Sequence, residues 1–124
     1  MSTHSLIAIE NPGGSVLYVY CHFDGYLEGV GRDVVGMTRE QARALILKGD
    51  MSSIDDHYRD GPPHRKVTNV DAFLEEFKRS GCHYAYIINK RGTWKYCTHD
   101  GVLNSLKLAL KQIDSSVTRR NPLV

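Results

Sequence analysis

Asn11-Pro12-Gly13-Gly14 stands between two apolar runs, and this placement constrains the chain more than any other feature. The tetrapeptide is a strong turn signal. The runs it separates, Ser5–Glu10 and Val16–Asp24, are too close for a crossover and are expected to pair as an antiparallel hairpin. The second run alternates with period two. Leu17, Val19, Cys21 and Phe23 fall on one face and read as core. Val16, Tyr18, Tyr20, His22 and Asp24 fall on the other, which becomes more polar toward the strand end. A slip of one residue would exchange the two faces, but their compositions differ clearly.

Beyond this hairpin the pattern changes period. Gly25–Arg32 is a glycine-rich turn in which Gly25 ends the strand and Gly29 and Gly31 form a G-x-G. Thr38–Lys48 reads as a helix, with Thr38 and Gln41 in capping-box positions and Gly49 just past its end. Residues 50–66 are polar, hold two prolines and show no sustained period, so a loop is expected. A second helix starts at Thr68 or Asn69. Val70, Phe73, Leu74 and Phe77 form its apolar stripe, and Ser80-Gly81 ends it. His83–Asn89 and Thr93–His99 read as a second hairpin around Lys90-Arg91-Gly92. Asp100 is expected to cap a closing helix that runs to about Ser115, leaving 116–124 as an extended tail.

The expected fold is therefore α+β, one domain over residues 1–124. It has a single antiparallel sheet of about four strands, two hairpins, with three helices packed on one face, in the order β-β-α-α-β-β-α.

Composition narrows the function. A formal net charge of +2 argues against duplex nucleic acid as a partner. The basic clusters are small: His64-Arg65-Lys66 in the expected loop and Arg119-Arg120 in the expected tail. Three cysteines, Cys21, Cys82 and Cys97, are odd in number and lie far apart in sequence. They suggest neither a disulfide framework nor a zinc site, and read as buried free thiols. The opening MSTHSLIAIE has neither the charged start nor the long apolar stretch of a signal peptide, and no run reaches membrane-span length. The expected location is the cytoplasm.

Candidate site residues gather around Tyr18–Arg32. Tyr18, Tyr20, His22, Asp24 and Tyr26 point outward from the second strand and its turn. Trp94 and Tyr96, with Tyr84 and Tyr86, offer aromatic faces on the second hairpin. Aligned, these rings would form a platform for planar ligands or for a second copy of the chain. His22 and Asp24 resemble part of a general base, but Cys21 lies on the opposite face and no nucleophile accompanies them. Gly29, Gly31 and Arg32 suggest an anion-binding turn. Asp55, Asp56, His57, Asp60 and His64 match neither an EF-hand nor a zinc pattern, so no metal is assigned; their loop is a candidate lid. No catalytic residue and no cofactor are assigned.

Tyr20-Cys21-His22-Phe23-Asp24-Gly25-Tyr26, followed by Gly29 and Gly31, resembles a segment found in small, mostly uncharacterised proteins of tailed bacteriophages. There, too, a hairpin runs into Y-C-H-aromatic-D-G-Y and then a glycine turn. The opening MSTHSLIAIE and Lys48–Ser53 (KGDMSS) are similar as well. The resemblance covers the first half closely and the second half loosely. It implies a phage accessory protein in the host bacterial cytoplasm, of the counter-defence kind. The expected function is binding: sequestering a nucleotide immune signal or inhibiting a host defence protein, as a homo-oligomer. The alternatives are a small metal-assisted hydrolase or nuclease using His22 and Asp24, and a protein-interaction module that oligomerises through its aromatic face.

Overall fold

The structure is a computed structural model that describes residues 2–120. β1 (Ser5–Glu10) and β2 (Val16–Cys21) form the expected antiparallel hairpin, with Ser5 opposite Cys21 and Glu10 opposite Val16. Gly14, at φ +100°, closes the turn by donating its N–H to the Asn11 carbonyl at 2.9 Å. A single π-helical turn, Leu27–Gly31, runs into the short α1 (Arg32–Val34). α2 (Arg39–Leu47) begins with the expected capping box: Thr38 Oγ1 accepts the Gln41 N–H, and Gln41 Oε1 accepts the Thr38 N–H. Then come β3 (Met51–Ser53), β4 (Asp56–His57) and β5 (Arg65–Val67). α3 (Val70–Ser80) is capped by Asn69 and ended by Gly81 at φ +76°. β6 (Tyr84–Ile88), β7 (Trp94–Cys97), β8 (Asn104–Ser105) and α4 (Leu106–Arg120) complete the described chain.

The sheet corrects the expected architecture. It is one mixed sheet of eight strands in the order β4-β3-β2-β1-β6-β7-β8, with β5 also on β2. The two hairpins exist, but they meet through a parallel pairing, β1 beside β6, with Ile7 opposite Tyr86. Residues 50–66 are no simple loop. Their strands span two or three residues each, too short to show a period. Backbone pairing with β2, not side-chain pattern, orders them: β5 takes the Val16–Tyr18 end antiparallel and β3 meets Cys21 in parallel.

Between those two partners β2 has a gap, and a side chain fills it. Tyr20 donates its N–H to Asp50 Oδ1 at 2.9 Å. Arg65 grips the same carboxylate with both terminal nitrogens, at 2.9 and 2.8 Å. Asp50 is only 5% exposed. An unpaired strand amide is thus satisfied by a neutralised carboxylate. Arg65, expected in a solvated basic cluster, is a structural partner instead, and its hydrogen bonds to Asp50 hold it above its ordinary range.

Helices cover both faces of the sheet, not one. Ile7, Ile9, Leu17, Val19, Tyr86 and Ile88 pack under α1, α2 and α4. Leu6, Ala8, Val16, Tyr18, Ala85 and Ile87 pack under α3 through Phe73 and Phe77. Full burial of each such phenylalanine contributes about 1.5–3 kcal/mol. β1 accordingly reads as a continuous apolar run, as strands buried on both faces do. Val16 and Tyr18, expected to face outward, are buried at 0% and 7% exposure. Phe23, expected in the core, is exposed. β2 ends at Cys21, so the alternation stops before Phe23, and the chain then turns away at Asp24, whose φ is +58°.

The C-terminal expectations shift too. Asp100 accepts the Val102 N–H in a turn, and α4 starts six residues later at Leu106. Ser105 Oγ, in β8, accepts the Leu108 N–H near its start. α4 continues to Arg120, so residues 116–120 are helical where an extended tail was expected. Residues 121–124 lie outside the described residues. Among the described residues no helix is long and apolar enough to cross a membrane.

Candidate functional site at the histidine end of the sheet

The register of the central strands gathers four histidines. Ser5 pairs with Cys21 on one side and with Tyr84 on the other, and each pair is the last of its ladder. One step beyond these pairs lie His22, His4 and His83. The β6–β7 ladder ends at Ala85 and Cys97, and two residues further on His99 comes level with His83. Strands β2, β1, β6 and β7 therefore each place one histidine at the same end of the sheet. Period-two parity puts all four on the face that α3 covers, beside its C-terminal end.

Three of the rings are locked together. His4 stacks on His22 at 4.5 Å between centroids, and His83 lies 6.0 Å from His4. His4 Nδ1 donates to the His22 carbonyl at 2.7 Å, and the Tyr20 hydroxyl bonds His22 Nδ1 at 2.7 Å. His83 Nδ1 accepts the backbone N–H of His4 at 3.3 Å. Among the described residues no group of three or more His, Cys, Asp or Glu is arranged to hold a metal ion. Only His4 and His22 are stacked; His83 is tilted by 41° against His4.

Two clefts flank α3 at this end. The larger, about 590 Å³, is bounded by Lys78, His83, Tyr84, His99 and Tyr26. The smaller, about 380 Å³, lies across the helix and is bounded by Tyr18, Tyr20, Asp50, Arg65 and Arg79.

The remaining predicted site residues are distributed differently from the expectation. Tyr20, His22 and Tyr26 stand at this end of the sheet. Asp24 turns toward Tyr26, whose hydroxyl donates to Asp24 Oδ1 at 3.4 Å, while His22 bonds Tyr20; the anticipated His22–Asp24 couple is replaced by these two contacts. The carboxylate beside it raises the Tyr26 hydroxyl above its ordinary range. Trp94 is buried, its indole N–H on the Met37 carbonyl at 3.0 Å. Tyr84, Tyr86 and Tyr96 pack on the α4 side, opposite Tyr18 and Tyr20, so no joint aromatic platform forms.

Gly29 and Gly31 are packing elements, and Arg32 lies in an exposed ion pair. The N–H groups of Gly29 and Gly31 donate to the Tyr26 carbonyl, and that of Val30 to Asp24. A Cβ on Gly29 would overlap the Asp24 carbonyl oxygen, and one on Gly31 would press on Tyr86 and Leu106. Beneath this turn Tyr86 donates its buried hydroxyl to the Gly25 carbonyl at 2.6 Å. Arg32 reaches Asp114 at 3.2 Å. In the candidate lid, Asp55 sits 3.3 Å from Lys48 and 3.8 Å from His57, and Asp56 accepts from Ser52.

The thiols offer no nucleophile. Burial pushes Cys21 up to about 12 and Cys97 up to about 11, and raises Cys82 as well. Burial likewise pushes the Tyr20 hydroxyl up to about 12. A group held this firmly in its protonated form is a poor attacking group near neutrality.

His4, Lys78 and the place of His83 and His99 are what sequence reading missed. The signal was present as one histidine at each of four strand ends, but it becomes a row only through the parallel β1–β6 pairing. No protein-family model, curated protein or solved structure matches the chain.

Proposed function

We propose that the protein acts by binding and not by chemistry, and that its ligand is a nucleotide-type small molecule held in the larger cleft. The observation that carries this reading is the pair His83 and His99, the end of the histidine row that borders a cleft of about 590 Å³ lined also by Lys78 and Tyr26. Imidazole and ammonium groups suit a phosphate. The exposed Tyr26 ring suits a planar base. The buried thiols and the Tyr20 hydroxyl, all held protonated, weigh against covalent catalysis. The resemblance to tailed-phage proteins supplies the setting: sequestration of a nucleotide signal used in host defence.

Titration calorimetry of the intact chain against the ribonucleoside monophosphates and their cyclic forms tests the proposal. The expected result is binding of at least one nucleotide, weakened at least tenfold by His99→Ala, with the nucleotide recovered chemically unchanged. Absence of heat up to about 1 mM ligand, which corresponds to less than about 4 kcal/mol of binding, overturns it. Recovery of a hydrolysed product overturns the non-catalytic part.

A further inference from the structure

The larger cleft does not end at His83. Successive rings continue from it across the sheet: His83 to His4 at 6.0 Å, His4 to His22 at 4.5 Å, His22 to Tyr20 at 5.9 Å. His83 borders the larger cleft and Tyr20 the smaller one. The two clefts lie on opposite sides of α3, since Lys78 and Gly81 face one and Glu76 and Arg79 the other. The ring row thus passes the C-terminal end of the helix and joins them. Adjacent strands are about 4.8 Å apart. From β2 to β7 the row covers three such spacings, about 14 Å.

Basic side chains stand at both ends. Lys78 and His99 border the larger cleft, and Arg65 and Arg79 the smaller, where each arginine is paired with a carboxylate. Asp50 is held by Arg65 and the Tyr20 N–H, and Glu76 lies 3.5 Å from Arg79 in an exposed pair that opens at little cost. The negative end of the α3 dipole favours hydrogen-bond donors such as the amino groups of a base. A phosphate is therefore better placed over the imidazoles than against the helix.

Resting on the cleft assignment above, we propose that the preferred ligand carries two nucleobases joined through phosphate. One base occupies each cleft, and the linking phosphate crosses the His83–His4–His22 row. A second stacked base multiplies affinity by about tenfold or more. Arg79, on the solvent side of α3, is the cation that only the second half of such a ligand reaches.

The test compares the four ribonucleoside monophosphates with the corresponding dinucleoside monophosphates and with ten-residue single strands. Calorimetry is run on the intact protein and on its Lys78→Ala and Arg79→Ala variants, both exposed changes whose folding is checked by circular dichroism. The expected result is a dinucleotide bound at least tenfold more tightly than either of its halves. Arg79→Ala removes that gain and leaves mononucleotide binding as it was, whereas Lys78→Ala weakens both. Equal affinity for mono- and dinucleotide, or an Arg79→Ala variant that keeps the gain, overturns the two-base inference and leaves the single-cleft reading standing. A ten-residue strand bound far more tightly than any dinucleotide overturns the two-base limit. Absence of binding by every probe overturns both readings.

Discussion

Replacing Asp50 with alanine removes the side chain that stands in for a strand on the outer edge of β2. Three hydrogen bonds converge on that carboxylate, one from the Tyr20 N–H and two from Arg65. The first loss leaves a strand amide unpaired in a closed gap, at about 1–3 kcal/mol. The second is discounted, because the Arg65 side chain is 40% exposed and water takes over part of its solvation; about 1 kcal/mol is a fair share. The expected total is about 2–4 kcal/mol, near the low end of what breaking a buried pair costs. Asp50→Asn keeps an oxygen for the Tyr20 N–H and gives up the charge, so about 1–2 kcal/mol is expected. Urea unfolding of the two variants measures both values, and amide exchange at Tyr20 locates the effect. Ala and Asn variants within about 0.5 kcal/mol of each other, with Tyr20 exchange unchanged, would refute the reasoning.

Two further outcomes follow from the packing. Gly29→Ala drives a methyl into the Asp24 carbonyl oxygen and is expected to destabilise by about 1–3 kcal/mol, whereas Gly13→Ala meets nothing and is expected to be near neutral; thermal melts of the pair decide it. The buried thiols predict weakness at alkaline pH. Cys21 and Cys97 hold their protons to about 12 and about 11 in the folded chain, while an unfolded thiol releases its proton near ~8.5–9. Above that point the unfolded state binds fewer protons than the folded one, so stability is full below about pH 8.5 and falls as pH rises toward the folded values. At pH 10 the two thiols together remove about 3 kcal/mol. Cys21→Ala, compared with the parent by urea unfolding at pH 8 and pH 10, should show a shallower decline; an identical decline would sink the linkage.

Much of the fold was legible where a local rule governs it. The Asn11–Gly14 turn, the Thr38–Gln41 box and the Asn69 and Gly81 ends of α3 depend on a few neighbouring residues, and each forms as expected. The burial of Cys21, Cys82 and Cys97 followed from their setting in or beside strands. The short strands of 50–66 were invisible, because two or three residues carry no period and their order comes from β2. Val16 and Tyr18 were misplaced for a related reason. Alternation separates two faces, but it does not say which of them a helix will cover, and here α3 covers the face that looked open.

The candidate site divides in the same way. Tyr20, His22 and Tyr26 were conspicuous in one dense segment. Gly29, Gly31 and Arg32 had the chemistry of an anion site, yet the glycine amides are bonded within their own turn and the guanidinium lies in an exposed pair with Asp114.

What the sequence by itself determined is the set of local elements and their caps, because those depend on interactions between residues a few positions apart. The tertiary structure alone decided that β1 lies parallel to β6. That one pairing, between segments some eighty residues apart, carries His4, His22, His83 and His99 to a common edge, and no local period encodes it.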